Sequence, residues 1–320
     1  MHIPGSVLRD PGSLAQFYGK IADGWRARGG EVQLLVHLRD QVPGRIAADE
    51  GFHIIDHGAV RHPRALNAGT AYVAPFRNLD PWGIRAFSSI AAMEFDAARY
   101  GHKAARLFQT RLRQRLVAAR VSRYAQPEGF TAVAPNCIAV FLQSEAHRLV
   151  GETCYLTMRE MVAALMQRTD PRPIVIKPHP RDFDSETHAW LRQQERRDPR
   201  IRIIAANIHD IIAAADAVVT INSAVGVEAM IHGKPVVLCG HADFHHCAAT
   251  VRAMAEMDAV IAGAEARIWP HAAFLFWYFI KNCVAGGRAT LTEDILAKIA
   301  ATGFDVGRFG LKPPSPPTHQ

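Results

Sequence analysis

"ADAVVTINSAVGVEAMIHGKPVVLCG", residues 215–240, decides the fold. The apolar run AVVTIN ends in a polar pair, Asn222-Ser223. A helical stretch follows over 224–232. Gly233 stops it, and Pro235 opens a second apolar run, PVVLCG, that ends at Gly240. Ser223 reads as a helix N-cap and Gly233 as the helix stop. Strand, helix and strand in so few residues make a βαβ unit, which sets the two strands parallel.

The same alternation extends upstream. Strand CIAVFLQ ends at Gln143, and a helix covers about 156–167. Strand PIVIK ends at Lys177, with a helix over about 185–195. Strand IRIIA is followed by a short helix over 208–214. Strands alternating with helices imply an α/β fold, a parallel sheet with helices on both faces. Further upstream, AQPEGFTAVAPN (125–136) is punctuated by Pro and Gly and reads as a loop and domain boundary. The chain opens as a second βαβ: a short strand, a loop, a helix ended by Gly29-Gly30, and a strand at 32–36. FHIIDHG (52–58) and AYVAP (71–75) read as further strands. LDPWGIRAFSSI (79–90) then leads into mostly helical sequence to about Tyr124. The expected division is 1–128, 129–310 and a disordered, Pro-rich tail at 311–320.

Composition bounds the function. Of 320 residues, 49% are hydrophobic and 21% charged, which allows a sizeable core and argues against bulk disorder. The longest apolar run, AAFLFWYFI at 272–280, is shorter than the roughly 20 residues a bilayer needs. The chain opens without a secretion-type leader, and its five scattered cysteines suit a reducing compartment, so a cytoplasmic location is expected. The net charge of +7 fits a solvated basic surface, an anionic small substrate, anionic lipid or nucleic acid. Basic residues gather at 106–123, where Leu107, Leu112, Leu116 and Val117 recur at helical spacing. That predicts an amphipathic helix whose basic face is either solvated or laid on an anionic inner-membrane surface. Without an RNA-binding signature or zinc-finger spacing, nucleic acid is not an expected partner.

Ligands in open parallel sheets bind beyond the carboxyl ends of the strands. Four polar clusters stand there: Gln143-Ser144-Glu145, Lys177-Pro178-His179-Pro180, Asn222-Ser223 and Gly240-His241. In IVIKPHPRD (174–182), two prolines stiffen the loop around His179 beside the Lys177 cation, a pairing suited to a phosphate. A plain rigid turn is the alternative. After Asn222, the helix start offers N–H groups and its dipole to an anion. Gly226 allows close approach of a ligand or of backbone. Glu228 either accepts from ribose hydroxyls or merely favours the helix dipole.

FLQ, IVIKPHPRD and the 215–240 segment together resemble the capsular polysaccharide biosynthesis family of GT-B glycosyltransferases, which includes bacterial Kdo transferases that use CMP-Kdo. The opening βαβ and LDPWGIRAFSSI are similar to the family's first domain. The resemblance implies two Rossmann-like domains whose parallel sheets face a central cleft, with acceptor binding in 1–128 and nucleotide-sugar binding in 129–310. It implies a nucleotide-sugar donor, CMP-linked, and a glycan or glycolipid acceptor. It places Lys177, His179 and Pro180 at the nucleotide phosphate, Asn222, Ser223 and Gly226 at further phosphate or sugar contacts, Glu228 at the ribose and Gln143 on the sugar side. Gly5, Ser6, Asp80 and Ser88 fall on the acceptor side. No metal or other cofactor is implied, because protein cations stabilise the leaving group.

The sequence departs from the family at one point. The retaining Kdo transferases carry an Asp shortly after the Gln element; LQSEAHRLVGET (142–153) has Glu145, His147 and Glu152 instead. Either Glu145 is the nucleophile, or the enzyme inverts with His147 or a carboxylate as base. A CDP-polyol phosphotransferase of the teichoic-acid type and a non-catalytic capsule-assembly protein are the alternative functions. An acidic residue before Ser223 would favour the former, and Asn222 stands there; the missing Asp favours the latter. GHADFHHC (240–247) offers His241, His245, His246 and Cys247, yet fits no closed zinc pattern. The aromatic run 274–279 reads as a core helix.

Overall fold

The computed structural model describes residues 1–143 and 153–313. The chain forms two compact units, one of Met1–Ser89 with Asn282–Gln320, the other of Ile90–Lys281. The division thus falls at 89/90 rather than 128/129, and the last segment returns to the first unit. The described residues contain twelve strands: β1 (His2–Ile3), β2 (Leu35–Val36), β3 (His53–Asp56), β4 (Ala65–Thr70), β5 (Phe76–Asp80), β6 (Cys137–Phe141), β7 (Ile174–Lys177), β8 (Ile201–Ile203), β9 (Ala215–Thr220), β10 (Val236–Leu238), β11 (Ala249–Thr250) and β12 (Val284–Ala285).

The first unit's sheet runs β12-β5-β4-β3-β1-β2. Strands β1 to β4 are parallel, but β5 runs antiparallel to β4, and β12 antiparallel to β5. The segment 71–75, expected as a strand, is the turn between β4 and β5, closed by Ala71 N–H donating to the Phe76 carbonyl. The true strand, ALNAGT, lacks β-branched residues until its last position and so carries little strand signal. Gly69 leaves room for the Ile84 side chain: a Cβ would lie 2.7 Å from Ile84 Cδ1. The helix Tyr18–Ala27 buries Tyr18, Ile21, Ala22 and Trp25, one helical face, against Ile3, Ile54 and Leu79. Leu291, Ile295 and Ile299 of the final helix join the same core, which is why the carboxyl-terminal segment belongs here. Val42 and Ile46 cover the opposite face. Residues 311 and 312, expected in the disordered tail, pack back: Arg28 Nε donates to the Lys312 carbonyl (2.7 Å), and Lys312 N–H to the Arg28 carbonyl (2.9 Å). Residues 314–320 lie outside the described residues.

The second unit's sheet runs β11-β10-β9-β6-β7-β8, with every pair parallel. Counted from β6, this is the doubly wound order 3-2-1-4-5-6, whose switch point lies between β6 and β9. Ile138, Val140, Ile176, Val219 and Val237 meet Met161, Leu165, Leu191 and Ile261 in the core. Thr157 and Glu160 form a reciprocal capping box on the helix Met158–Met166. Gly233, at φ +85°, ends the helix Val225–His232.

The basic segment forms a helix, Lys103–Leu112, continued by a π-helical turn, Arg113–Ala118. Its buried face is Ala105, Leu112 and Leu116, whereas Leu107, expected on the apolar stripe, is exposed. Phe108 meets Phe276 and Phe279 edge-on or tilted, which ties this helix to the aromatic run and to the second unit. That packing explains why the division precedes residue 103. Among the described residues no helix is long and apolar enough to cross a membrane. All five cysteines are free thiols.

The amino-terminal edge of the second sheet is stitched by charge. Arg172 donates to Asp170, Asp216 and Glu265 at 2.6–3.1 Å. The Arg172 hydrogen bond is the leading cause that holds the Asp170 carboxyl down at about 2. A depressed carboxylate stabilises the fold above the ordinary carboxylate range, and this contribution is lost as pH falls through about 2. Arg172→Met should therefore cost roughly 2 kcal/mol at neutral pH, because three carboxylates lose their shared cation. The variant should also shallow the loss of stability between about pH 4 and 2. Urea denaturation across that range measures both; an acid limb unchanged from the parent's would contradict the assignment.

Candidate functional site

The carboxyl-terminal edge of the same sheet is built from amides and short loops. Gln143, just beyond β6, and Asn222, beyond β9, lock together across the switch point. Asn222 N–H donates to Gln143 Oε1 (2.9 Å), and Gln143 Nε2 donates to Asn222 Oδ1 (2.9 Å). Asn222 Nδ2 then donates to Thr153 Oγ1 (2.9 Å) and to the His241 carbonyl (3.0 Å), so the clasp reaches the end of β10. Gly240 makes room for it: a Cβ there would lie 2.7 Å from Ile221 Cγ2 and 2.9 Å from the Thr153 carbonyl oxygen.

Beside the clasp, β7 ends in the Lys-Pro-His-Pro loop. Lys177 is buried, and its ammonium donates to the Ala206 carbonyl beyond β8 (2.7 Å), bracing the two strand ends. Burial lowers its pKa. The cation expected at a phosphate thus has a main-chain partner. His179 is half-buried, and its Nδ1 accepts from Arg181 N–H (3.2 Å). In the neutral ring this puts the proton on Nε2, a donor suited to an anion. Its ring meets Tyr124 edge-on at 5.3 Å, and the Arg181 guanidinium lies 4.8 Å from the centre of the Tyr124 ring. Pro180 is exposed in the turn.

Beyond Asn222, Ser223 Oγ accepts from Val225 N–H (3.3 Å), and the Ser223 carbonyl from Gly226 N–H (3.0 Å), so Ser223 closes the first turn. Gly226 accommodates protein rather than exposing the helix start. A Cβ would lie 2.8 Å from the buried Phe244 ring. Glu228 is buried, accepts from the Ser122 side chain, and has its pKa pushed up to about 7 by burial.

Ser122 and Tyr124 belong to a segment that the sequence presents as the end of the basic helix, whereas the helix stops at Ala118. In the structure, residues 119–128 and Asn207 line an open pocket of about 380 Å³. The segment is anchored by the Arg120–Asp210 ion pair, by Asn207 Nδ2 donating to the Pro127 carbonyl (3.2 Å), and by Gln126 Oε1 accepting from Ile208 N–H (3.1 Å). It touches Glu228 through Ser122 and His179 through Tyr124. Its only sequence signal is an aromatic, Tyr124, inside polar loop sequence.

The remaining candidates stand elsewhere. Asp80, in the first unit, is buried and accepts from Trp82 N–H (2.8 Å), Gly83 N–H (3.2 Å), Ser89 N–H (2.9 Å) and Ser89 Oγ (2.7 Å). Its carboxylate closes its own 80–89 loop. Ser88 is buried beside it, while Gly5 and Ser6 open the short helix Gly5–Leu8. His245 and His246 stack at 4.1 Å and hydrogen-bond the carbonyls of Ala91 (2.9 Å) and Met93 (2.7 Å). Among the described residues, no three His, Cys, Asp or Glu side chains gather as a metal site. Glu145 and His147 lie outside the described residues.

The family model described as capsule polysaccharide biosynthesis protein matches residues 101–261, just over half of the chain. The chain belongs to that family. The matched stretch contains the clasp, the Lys-Pro-His-Pro loop and the 119–128 pocket. No curated protein matches the chain. Among solved structures, the chain is similar to Thermosulfurimonas dismutans KpsC, a β-Kdo 2,7-transferase, with 17% identity, 81% of this chain and 94% of that chain covered, and a TM-score of 0.49. The β-Kdo 2,4-transferase of the same organism's KpsC shows 19% identity, coverage of 55% and 61%, and a TM-score of 0.36. Anabaena Alr3699/HepE, solved in complex with UDP, shows 20% identity, coverage of 65% and 56%, and a TM-score of 0.36.

Proposed function

We propose that this member of the capsule family is a glycosyltransferase that moves a sugar from a CMP-linked donor, Kdo or a related acid sugar, to a glycan or glycolipid acceptor. One observation carries the reading. A 3-2-1-4-5-6 parallel sheet, inside the family-matched stretch, has its switch point framed by the Gln143–Asn222 clasp, with His179 on the neighbouring strand end. A switch point is where such sheets bind nucleotides.

In this reading His179 and Arg181 hold the phosphate, and the 119–128 pocket takes the nucleoside, with Glu228 reaching the ribose alongside Ser122. Lys177 stiffens the loop and adds positive potential from below. As the bond to the departing phosphate breaks, these cations stabilise the charge that develops, the term that weighs most in such transfers. No metal is needed for this step. Glu145 serves as nucleophile if configuration is retained; with inversion, a base on the acceptor suffices.

The test is incubation with CMP-Kdo and a Kdo-terminated synthetic glycolipid, following CMP release and the anomeric configuration of the product by NMR. Acceptor-dependent CMP release supports the proposal. Release from no CMP-linked sugar, with turnover of a CDP-polyol instead, overturns it.

A further inference from the structure

The histidine side chains of the loop 240–247, GHADFHHC, have no part in the reading above. The loop leaves β10 at the same sheet edge as the clasp, inside the second unit. Its main chain is tied to that clasp. His241 N–H donates to the Thr153 carbonyl (2.7 Å), and the His241 carbonyl accepts from Asn222 Nδ2 (3.0 Å). Deeper in, Asp243 Oδ2 accepts from the Tyr278 hydroxyl (2.7 Å), and the buried Phe244 ring fills the space that Gly226 leaves. Ala242, Asp243, Phe244 and Cys247 are all buried. The loop is thus fixed before any ligand arrives, and a fixed site binds at lower entropic cost.

This scaffold presents His245. Its ring stacks between His246, at 4.1 Å, and His241, at 6.2 Å. His246 is itself held, by the Met93 carbonyl (2.7 Å) and by the Trp277 ring at 5.1 Å. His245 Nε2 lies 2.9 Å from the Ala91 carbonyl, which can only accept. Nε2 therefore carries the proton, and the neutral ring keeps its lone pair on Nδ1. A half-buried imidazole whose plane is clamped and whose tautomer is set is a directed acceptor. Its complement is a hydroxyl.

The strand order indicates whose hydroxyl. Along the sheet edge the order is β8-β7-β6-β9-β10. Asn207, of the 119–128 pocket, follows β8, and His179 follows β7. The clasp joins the ends of β6 and β9, and the histidine loop follows β10. Neighbouring strands stand about 4.8 Å apart, so about 14 Å separates the ends of β7 and β10. A nucleotide sugar with its nucleoside toward β8 and its phosphate at His179 carries its sugar across the clasp toward β10. The outer hydroxyls of the sugar then meet the loop.

We propose that His245 reads the donor sugar, accepting through Nδ1 from one of its hydroxyls. This rests on the glycosyltransferase reading above and adds a sugar subsite to it. The ligand is a polyhydroxylated sugar joined to the nucleotide; a nucleotide alone does not reach the loop. No proton changes hands, so His245 acts on binding and not on the chemical step.

The experiment separates the two ring nitrogens in the full chain, with CMP-Kdo and a Kdo-terminated synthetic glycolipid as substrates. His245→Gln keeps an N–H for the Ala91 carbonyl but loses the acceptor at the Nδ1 position. It should raise the KM for CMP-Kdo about three- to tenfold, with kcat within about twofold of the parent's. His245→Asn keeps an acceptor oxygen near the Nδ1 position but loses the bond to Ala91. It should hold the parent's KM while lowering the melting temperature by about 2–4 °C. CMP, which has no sugar, should bind both variants as it binds the parent. His245→Gln with the parent's KM overturns the proposal. So does an equal rise in KM in both variants, which would trace to the Ala91 bond. A fall in kcat of about 10²-fold or more at unchanged KM, the signature of a base, overturns it too. In each of these cases CMP binding leaves the donor reading standing. A parent chain that binds no CMP, or releases none from CMP-Kdo, overturns the donor reading and the sugar subsite with it.

Discussion

Glu228→Gln is expected to stabilise the protein above neutral pH. Glu228 is buried in the helix Val225–His232, and burial pushes its pKa up to about 7, while in the unfolded chain it titrates near 4.5. Between those values the folded state holds a proton that the unfolded state has released. Stability therefore falls as pH rises through this interval. The span corresponds to on the order of 3 kcal/mol. Gln has nearly the same shape, stays neutral and can still accept from Ser122. Urea denaturation at about pH 5 and pH 8 should show the parent losing stability with pH while Glu228→Gln stays nearly flat. Equal slopes would mean that Glu228 is charged in the fold. A buried acid retained at that cost fits a ligand role, and the same variant should weaken CMP binding about tenfold or more. Greater stability with undiminished CMP affinity would instead confine Glu228 to its helix.

Asn222→Ala is expected to be the most damaging single change at the strand ends. It removes one acceptor and two donors that satisfy Gln143 Nε2, Thr153 Oγ1 and the His241 carbonyl. Each hydrogen bond lost at these part-buried groups costs about 0.5–1.5 kcal/mol, so a loss of roughly 2–4 kcal/mol follows. Asn222→Asp does not rescue it, because a carboxylate oxygen would then face the His241 carbonyl oxygen. The clasp is reciprocal, so Gln143→Ala and Asn222→Ala should be strongly non-additive. The double variant should be more stable than the sum of the single losses predicts. Denaturation of all four proteins gives this coupling; additive losses would contradict the clasp.

The part of the site that could be read in the sequence is the part whose causes are local. The 215–240 unit announces itself through β-branched strand residues, Ser223 and Gly233, all within a few residues of what they control. The polar strand ends follow from the same reading. The rest depends on distant partners. Lys177 and Asp80 have the right chemistry for a ligand, but Ala206 and the 80–89 loop engage them. Segment 119–128 reads as a helix end and a loop until Asn207 and Asp210, eighty to ninety residues on, hold it in place. β4 hides because Asn67 and Gly69 serve neighbours rather than strand propensity. Residues 282–313 join the first unit through a core assembled from both ends of the chain.

Phosphate binding at the Lys-Pro-His-Pro loop is tested by calorimetric titration of the full chain with CMP, CDP, UDP and GDP, repeated with His179→Ala. Selective CMP binding is expected, weakened by His179→Ala by at least about tenfold, or roughly 1.4 kcal/mol, without loss of the fold. Binding of none of the four, or CMP binding that His179→Ala leaves intact, would contradict it.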